Sequence, residues 1–341
     1  MTMAEPIGLL VMAYGTASGP DDVERYYTDI RGGRPPAPAH LAELKARYAA
    51  IGDRFPLLDI TRAQARGVER ELNAAAGGGS FRAYLGMKHS PPFIGDGVDL
   101  MRAQGIERAV GIVMAPHWSG MSIETYVERA ERAAQEGGPS LSFVRRFHDH
   151  PAFVAFLASR VSDALARLNP RERDGAAVVF SAHSLPVRTG EDGQERCLHC
   201  RSCEGSCAYP EGLRETASLV AGRLGLGAYT TGWQSAGRTA DPWFGPSVED
   251  VIRGLAAKGH AAVVVCSAGF VADHLEILYD LDVQARAVAE EAGIAFARTE
   301  MPNDDPAFVR ALAEVVRDHL RAGSAGEPDP TGRPYAGSRT P

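Results

Sequence analysis

The chain has 341 residues, 45% of them hydrophobic and 23% charged, enough to bury a full core and to form two domains of ordinary size. Its 36 basic and 43 acidic side chains leave a formal net charge of -7, which argues against nucleic acid or any other polyanion as a general partner. The apolar stretch 7–14 has no basic flank and no cleavage site and is too short to span a bilayer. It is expected to be the first strand of a cytoplasmic protein with no integral membrane segment.

Strand-like runs lie at 7–13, 81–85, 109–115 and 141–147, and again at 176–182, 227–232, 261–266 and 294–298, with helical patterns between them. Such alternation predicts an α/β fold of parallel four-stranded sheets covered by helices, in two halves of similar build, 1–165 and 166–322. A residue-level echo supports the doubling. Pro151-Ala-Phe-Val-Ala-Phe-Leu-Ala opens one helix and Pro306-Ala-Phe-Val-Arg-Ala-Leu-Ala another, 306 minus 151, or 155, positions later. Ala13-Tyr14-Gly15 and Ala182-His183-Ser184 end the first strand of each half, so a pseudo-twofold arrangement faces Tyr14 toward His183 across a cleft. Two segments leave the pattern: 189–212, an excursion from a crossover, and 323–341, rich in Gly, Pro, Ser and Thr and expected to be a disordered tail.

Along this frame, Arg31, Arg34, Lys45 and Arg47 gather around a Gly/Pro-rich loop. Guanidinium forks suit carboxylates, so the cluster reads as a rim for a polyacidic small molecule, or more plainly as a solubilising loop. Gly77-Gly-Gly-Ser80 lacks the Gly-Lys-Ser/Thr ending of a phosphate-binding loop, which disfavours nucleotides. Lys88-His89 follows a strand, with Lys88 favoured as an anion contact; His117 follows another and is equally readable as wall packing. His183, at a strand end among small residues and before a Leu-Pro turn, stands where open parallel sheets bind ligands. The loop holding Trp233 and Trp243 is either a rigid turn or a pair of flat aromatics for a planar ligand. The segment 273–284 is helical by pattern and sets Glu276, Asp280 and Gln284 on one face, apart from Leu275, Leu278 and Leu281. A carboxylate ladder of this kind is a route for a divalent cation or for departing protons.

Cys197-x2-Cys200-x2-Cys203-x3-Cys207 is a metal-ligand signal, and without a secretion signal such crowding favours a metal over disulfides. Four thiolates suit either zinc or an iron-sulfur cluster. Cys266, inside an apolar strand, reads as a small core residue.

The stretches Gly8-Leu-Leu-Val-Met-Ala-Tyr-Gly-Thr16, Glu24-Arg-Tyr-Tyr27, Ser181-Ala-His-Ser-Leu-Pro186, Gly232-Trp-Gln-Ser-Ala-Gly237, Asp241-Pro-Trp243 and Asp273-His-Leu-Glu276 resemble the ferrochelatases. They are closer to the bacterial branch whose substrate is coproporphyrin. The resemblance lies within 7–321, and its last four stretches are specific in combination. It implies two Rossmann-like, chelatase-type halves around a cleft, and a lyase of heme biosynthesis that inserts ferrous iron into a porphyrin to give coproheme. Carried over, His183 is the catalytic histidine, Glu276 its partner on the other side of the macrocycle, and Asp280 the continuation of the acidic track. Tyr14 then sits close to the metal face, His183, Glu276 and Asp280 handle the iron, and Arg31, Arg47, Lys88 and Trp233 meet the porphyrin. Two positions depart from the family pattern: Gln284 stands where the track usually has a third carboxylate, and Phe55 replaces a small polar residue before Pro56. Some bacterial ferrochelatases carry a two-iron two-sulfur cluster, so the resemblance favours that cluster on the four cysteines over zinc, with transient contact to other heme-biosynthesis enzymes also expected.

Insertion displaces two pyrrole protons, so the site needs acceptors, and a histidine with carboxylates supplies them near neutral pH. Two other functions share parts of the pattern. A non-catalytic tetrapyrrole carrier would use the cleft and rim without needing Glu276 and Asp280 inside. A redox or iron sensor built on the cysteines would make the cleft secondary.

Overall fold

The structure, a computed structural model, describes residues 5–75, 80–135, 137–198, 200 and 207–325. In chain order, the first stretch carries β1 (Ile7–Ala13), α1 (Val23–Ile30), α2 (Pro38–Ala50), α3 (Leu57–Ala75), β2 (Phe81–Met87), α4 (Ile94–Ala103), β3 (Arg108–Val113), α5 (Ile123–Ala134), β4 (Ser140–Val144) and α6 (Pro151–Ala166). The second carries α7 (Pro170–Asp174), β5 (Ala176–His183), β6 (Val187–Thr189), β7 (Glu195–Cys197), α8 (Ala208–Leu224), β8 (Tyr229–Gln234), α9 (Val248–Ala257), β9 (Ala262–Cys266), α10 (Leu275–Leu278), a π-helical turn (Asp280–Ala285), α11 (Arg286–Glu291), β10 (Ala295–Arg298) and α12 (Pro306–Ala325).

Each of the eight strand-like runs is a strand of a parallel sheet. One sheet has the order β2-β1-β3-β4, the other β8-β5-β9-β10. Numbered within its own set, each reads 2-1-3-4, the same winding twice. The central strands are apolar on both faces, as parallel strands covered by helices must be: β1 is buried from Gly8 to Ala13 and β9 throughout.

The helices do not stay with their own strands. Helix α6 packs on β9, β10 and α8 of the second sheet, whereas α12 packs on α3, β3 and β4 of the first. The sequence echo explains the crossing. Phe153 and Phe308, which occupy equivalent positions in it, meet with ring centroids 6.2 Å apart, and Phe156 adds a second contact at 5.4 Å. Apolar side chains of β1, β3, β5 and β9 join these rings in one core cluster that runs through both sheets.

Three expected segments differ in detail. The helical pattern 273–284 resolves into the short α10 and a π turn, where the Gln284 N–H reaches back five residues to the Tyr279 carbonyl at 3.0 Å. Equal spacing of side chains in sequence cannot reveal such a widened turn. The polar excursion opens as an antiparallel hairpin, β6 with β7. Its Cys197, Cys200 and Cys207 are buried in the main core cluster, while Cys203 lies outside the described residues. The expected tail starts later than position 323, because α12 continues to Ala325; 326–341 lie outside the described residues. Among the described residues, no helix is long and apolar enough to cross a membrane.

Candidate active site

Two strand ends build the first wall. Beyond β1 the chain turns at Gly15, whose φ of +99° and approach to Ser90 (a Cβ there would meet Oγ at 2.6 Å) leave no room for a side chain. The turn lets β1 and β2 run on together, the Lys88 and His89 N–H groups donating to the Ala13 and Tyr14 carbonyls at 2.9 and 3.0 Å. Tyr14 thus lies beside His89, ring centroids 4.6 Å apart, and 42% of it stays open to solvent. His89 Nδ1 is 2.7 Å from Asp29 Oδ1; burial lowers the histidine's pKa despite that carboxylate. The Lys88 ammonium donates to Thr125 at 2.6 Å and lies 5.0 Å from the centre of the Tyr126 ring. Burial, helped by Arg129, lowers the Lys88 pKa to about 8.

The second wall comes from the ends of β5 and β9. Gly269 sits against β5 so closely that a Cβ would meet that of Ala182 at 2.5 Å, which draws the turn after β9 over the histidine strand. His183 Nδ1 bonds to the Ser184 carbonyl. A carbonyl only accepts, so Nδ1 carries its hydrogen and Nε2 is left facing Glu276, 3.5 Å from Oε1. Burial works against a charged imidazole, but the Glu276 carboxylate, the Ser184 carbonyl and Asp280 together raise the His183 pKa to about 8. For Glu276, burial favours the neutral acid, and His183, His274 and Arg47 overcome it, holding its pKa low. At neutral pH this wall therefore holds an imidazolium and a carboxylate.

Asp280 lies one step further in, 4% exposed. Burial and the charge of Glu276 raise its pKa to about 7, although Ser235 donates to Oδ2 and Arg47 is near. Its Oδ1, 3.8 Å from Arg47 Nη1, accepts no hydrogen bond. Ser235 reaches this carboxylate from a left-handed backbone, φ 61°, a conformation non-glycine residues rarely hold without compensation. Burial and, after it, the charge of Glu276 keep the Tyr14 hydroxyl protonated, so the two walls share one electrostatic space.

Two expectations need correction, and other residues singled out in the sequence take their places around the site. Glu276 is not across a macrocycle from His183: the two share one wall, and 3.5 Å leaves no space for a ring between them. Trp233 is 6% exposed and packs between Tyr209, at 5.5 Å, and Phe244, stacked at 5.2 Å. Strand alternation turns it into the core, and the tryptophan beside His183 is Trp243, at 6.4 Å. Arg47 spans to the second half, paired with Glu43 at 3.1 Å and lying 5.3 Å from the Tyr279 ring centre. Arg31 and Arg34 each donate to the other's carbonyl at 3.3 Å. His117 is buried core, bonded to Thr216 at 3.0 Å and stacked on His148. Phe55 stacks on Tyr48 at 4.3 Å, a packing role no small polar residue could fill.

Sequence reasoning missed Gln234, the hub of the second wall. Its amide donates to the Glu276 carbonyl at 2.9 Å, while its oxygen accepts from Ser181 at 2.8 Å and Ser267 at 3.2 Å. Its position next to a tryptophan hid it; only the register of β5 with β8, which sets Gln234 beside His183, reveals it.

The chain matches the family model described as Ferrochelatase over residues 6–320. It is 46% identical to a coproporphyrin III ferrochelatase of Anoxybacillus flavithermus over 317 residues, covering 92% of this chain and 96% of that one. It is 45% identical to a coproporphyrin III ferrochelatase of Bacillus subtilis over 316 residues, covering 92% of this chain and 98% of that one. Among solved structures, SirB from Bacillus subtilis with Fe3+ shares the fold at a TM-score of 0.56 and 10% identity, over 94% of this chain and 98% of that one.

Proposed function

We propose that this chain, which belongs to the ferrochelatase family, inserts ferrous iron into coproporphyrin III to give coproheme. The observation that carries the reading is the His183–Glu276 pair at 3.5 Å with Asp280 behind it, three groups that hold and pass protons at neutral pH on one wall of a cleft. With His183 charged and Glu276 ionised, Glu276 is the group ready to take the first pyrrole proton. Asp280, half-protonated near pH 7, relays it inward. An approaching dication lowers the affinity of Nε2 for its proton, which passes to Glu276, 3.5 Å away, once that carboxylate has handed the first pyrrole proton to Asp280; the neutral imidazole is then the second acceptor or a ligand to the entering iron. Lys88, held on the other wall, is the contact for a propionate, and Tyr14 covers the opposite face of the ring. The alternative of a passive carrier gives no reason for a carboxyl with a pKa near 7 behind the pair.

The test is anaerobic turnover of ferrous iron with coproporphyrin, followed by loss of porphyrin fluorescence. Iron-dependent loss with a higher catalytic efficiency than on protoporphyrin supports the reading. Porphyrin binding without turnover leaves the carrier, and preference for protoporphyrin overturns the branch while keeping the chemistry.

The cysteines are assigned to a two-iron two-sulfur cluster, with zinc as the alternative. Cys197 and Cys207 Sγ are 3.4 Å apart, near the roughly 3.8 Å that two sulfurs on one tetrahedral metal take with bonds of about 2.3 Å. Neither they nor Cys200 is in a disulfide. Cys197, Cys200 and Cys207, with Cys203 as fourth ligand, would hold the centre, which supplies redox sensitivity and no step of insertion. Two irons and two sulfides per chain in reddish-brown protein support it; one zinc in colourless protein replaces it.

A further inference from the structure

The start of α8, beside the cysteines, and His183 are joined by a partly buried hydrogen bond. Tyr209 stands at the second position of α8, just beyond Cys207, the residue at the helix N-cap. Its hydroxyl donates to the main-chain carbonyl of His183 at 2.9 Å. Its ring is held between Trp233, at 5.5 Å, and the edge of His117, at 6.4 Å, and 8% of it is exposed, so packing leaves it one orientation.

This contact controls more than a carbonyl. The peptide unit joining His183 to Ser184 is tied at both ends, its C=O by Tyr209 and its N–H by the Gln234 carbonyl at 2.7 Å. The next carbonyl along, that of Ser184, takes the imidazole Nδ1–H and so keeps Nε2 directed at Glu276. Releasing the peptide unit loosens that arrangement and leaves a partly buried acceptor without its donor. The hairpin is closed at its base and lies against the first half. The Leu198 N–H donates to the Pro186 carbonyl at 2.8 Å, and Cys200 Sγ lies so near Gly120 of the first half that a Cβ there would be 3.0 Å away. The first turn of α8 thus adjoins Cys207 on one side and the histidine strand on the other.

We propose that Tyr209 is a positioning residue for His183: its hydroxyl fixes the peptide unit whose next carbonyl orients the imidazole. Without that bond Nε2 is held less firmly toward Glu276, and insertion slows without loss of the porphyrin site. The inference rests on the ferrochelatase reading.

Tyr209→Phe keeps the ring and removes the hydroxyl. We expect kcat to fall about tenfold with the porphyrin KM unchanged, the split that marks a lost contact near the reacting groups. Co2+ titrated into porphyrin-free protein, read as the visible absorption that His183→Ala abolishes, binds more weakly by a similar factor, while absorption of the cysteine centre stays as in the parent. Parental kcat and Co2+ binding in Tyr209→Phe overturn the proposal. Failure of turnover in the parent overturns the ferrochelatase reading alone, and the Co2+ comparison still decides whether Tyr209 positions His183.

Discussion

The two walls of the cleft begin from equivalent strand ends, after β1 and after β5, and have become chemically unlike. The wall after β1 carries a phenol, an ammonium and a histidine whose pKa is lowered by burial, and it is set for neutral or cationic contacts. The wall after β5 carries an imidazolium, a carboxylate and a carboxyl poised near neutrality. The difference comes from a few neighbours on similar scaffolds. Glu276 faces His183 and raises its pKa, whereas His89 has only Asp29, which does not overcome burial. One wall can exchange protons at neutral pH and the other can hold anions, a division suited to a substrate with acidic edges and a proton-bearing centre.

The sharpest way to break this division is to remove the proton-handling pair. His183→Ala should reduce kcat by about 10³-fold with porphyrin binding retained, measured as quenching on titration. Glu276→Gln should lose about 10²-fold, and the acid limb of its kcat/KM profile, where the imidazole must be free to accept a proton, should move to lower pH, because only the Ser184 carbonyl and Asp280 then oppose burial at His183. Parental rates in either variant would end the assignment of chemistry to this wall.

A smaller effect belongs to the other wall. Lys88→Ala should raise the porphyrin KM about tenfold and change kcat by less than about twofold, the signature of a contact made equally in ground and transition state. A loss carried by kcat instead would mean that the β1 wall shares the chemistry.

The smallest effect concerns stability. The Asp280 pKa is raised in the folded chain, from 3.8 to about 7, so its ionised form is disfavoured there. Its contribution to stability is full below the unfolded pKa and is lost as pH rises through about 7. Asp280→Asn removes that loss. From about pH 5 to about pH 8 the parent should lose on the order of 2 kcal/mol relative to the variant, read from urea midpoints at each pH. Parallel pH profiles for the two proteins would show that Asp280 stays ionised throughout.

Much of this was legible in the sequence because period and composition are local properties. The strands announce themselves as short apolar runs, and His183 and Glu276 as polar groups close after strand ends. The same local signals fail where a role depends on register or on turn geometry. Trp233 and Gln234 are adjacent letters, yet strand alternation sends one into the core and makes the other the tether of the Glu276 carbonyl. The π turn leaves no mark in side-chain spacing, and Tyr209 gains its meaning from an acceptor 26 residues away in sequence.

The exchange of α6 and α12 has a mechanical consequence. Each sheet is roofed by a helix that belongs to the opposite stretch of chain, and the two helices touch through Phe153, Phe156 and Phe308. Like crossed forearms, they resist any motion that swings one half away from the other, because parting the halves means uncovering both sheets at once. The two walls are therefore carried on halves that are tied to each other through the exchanged helices.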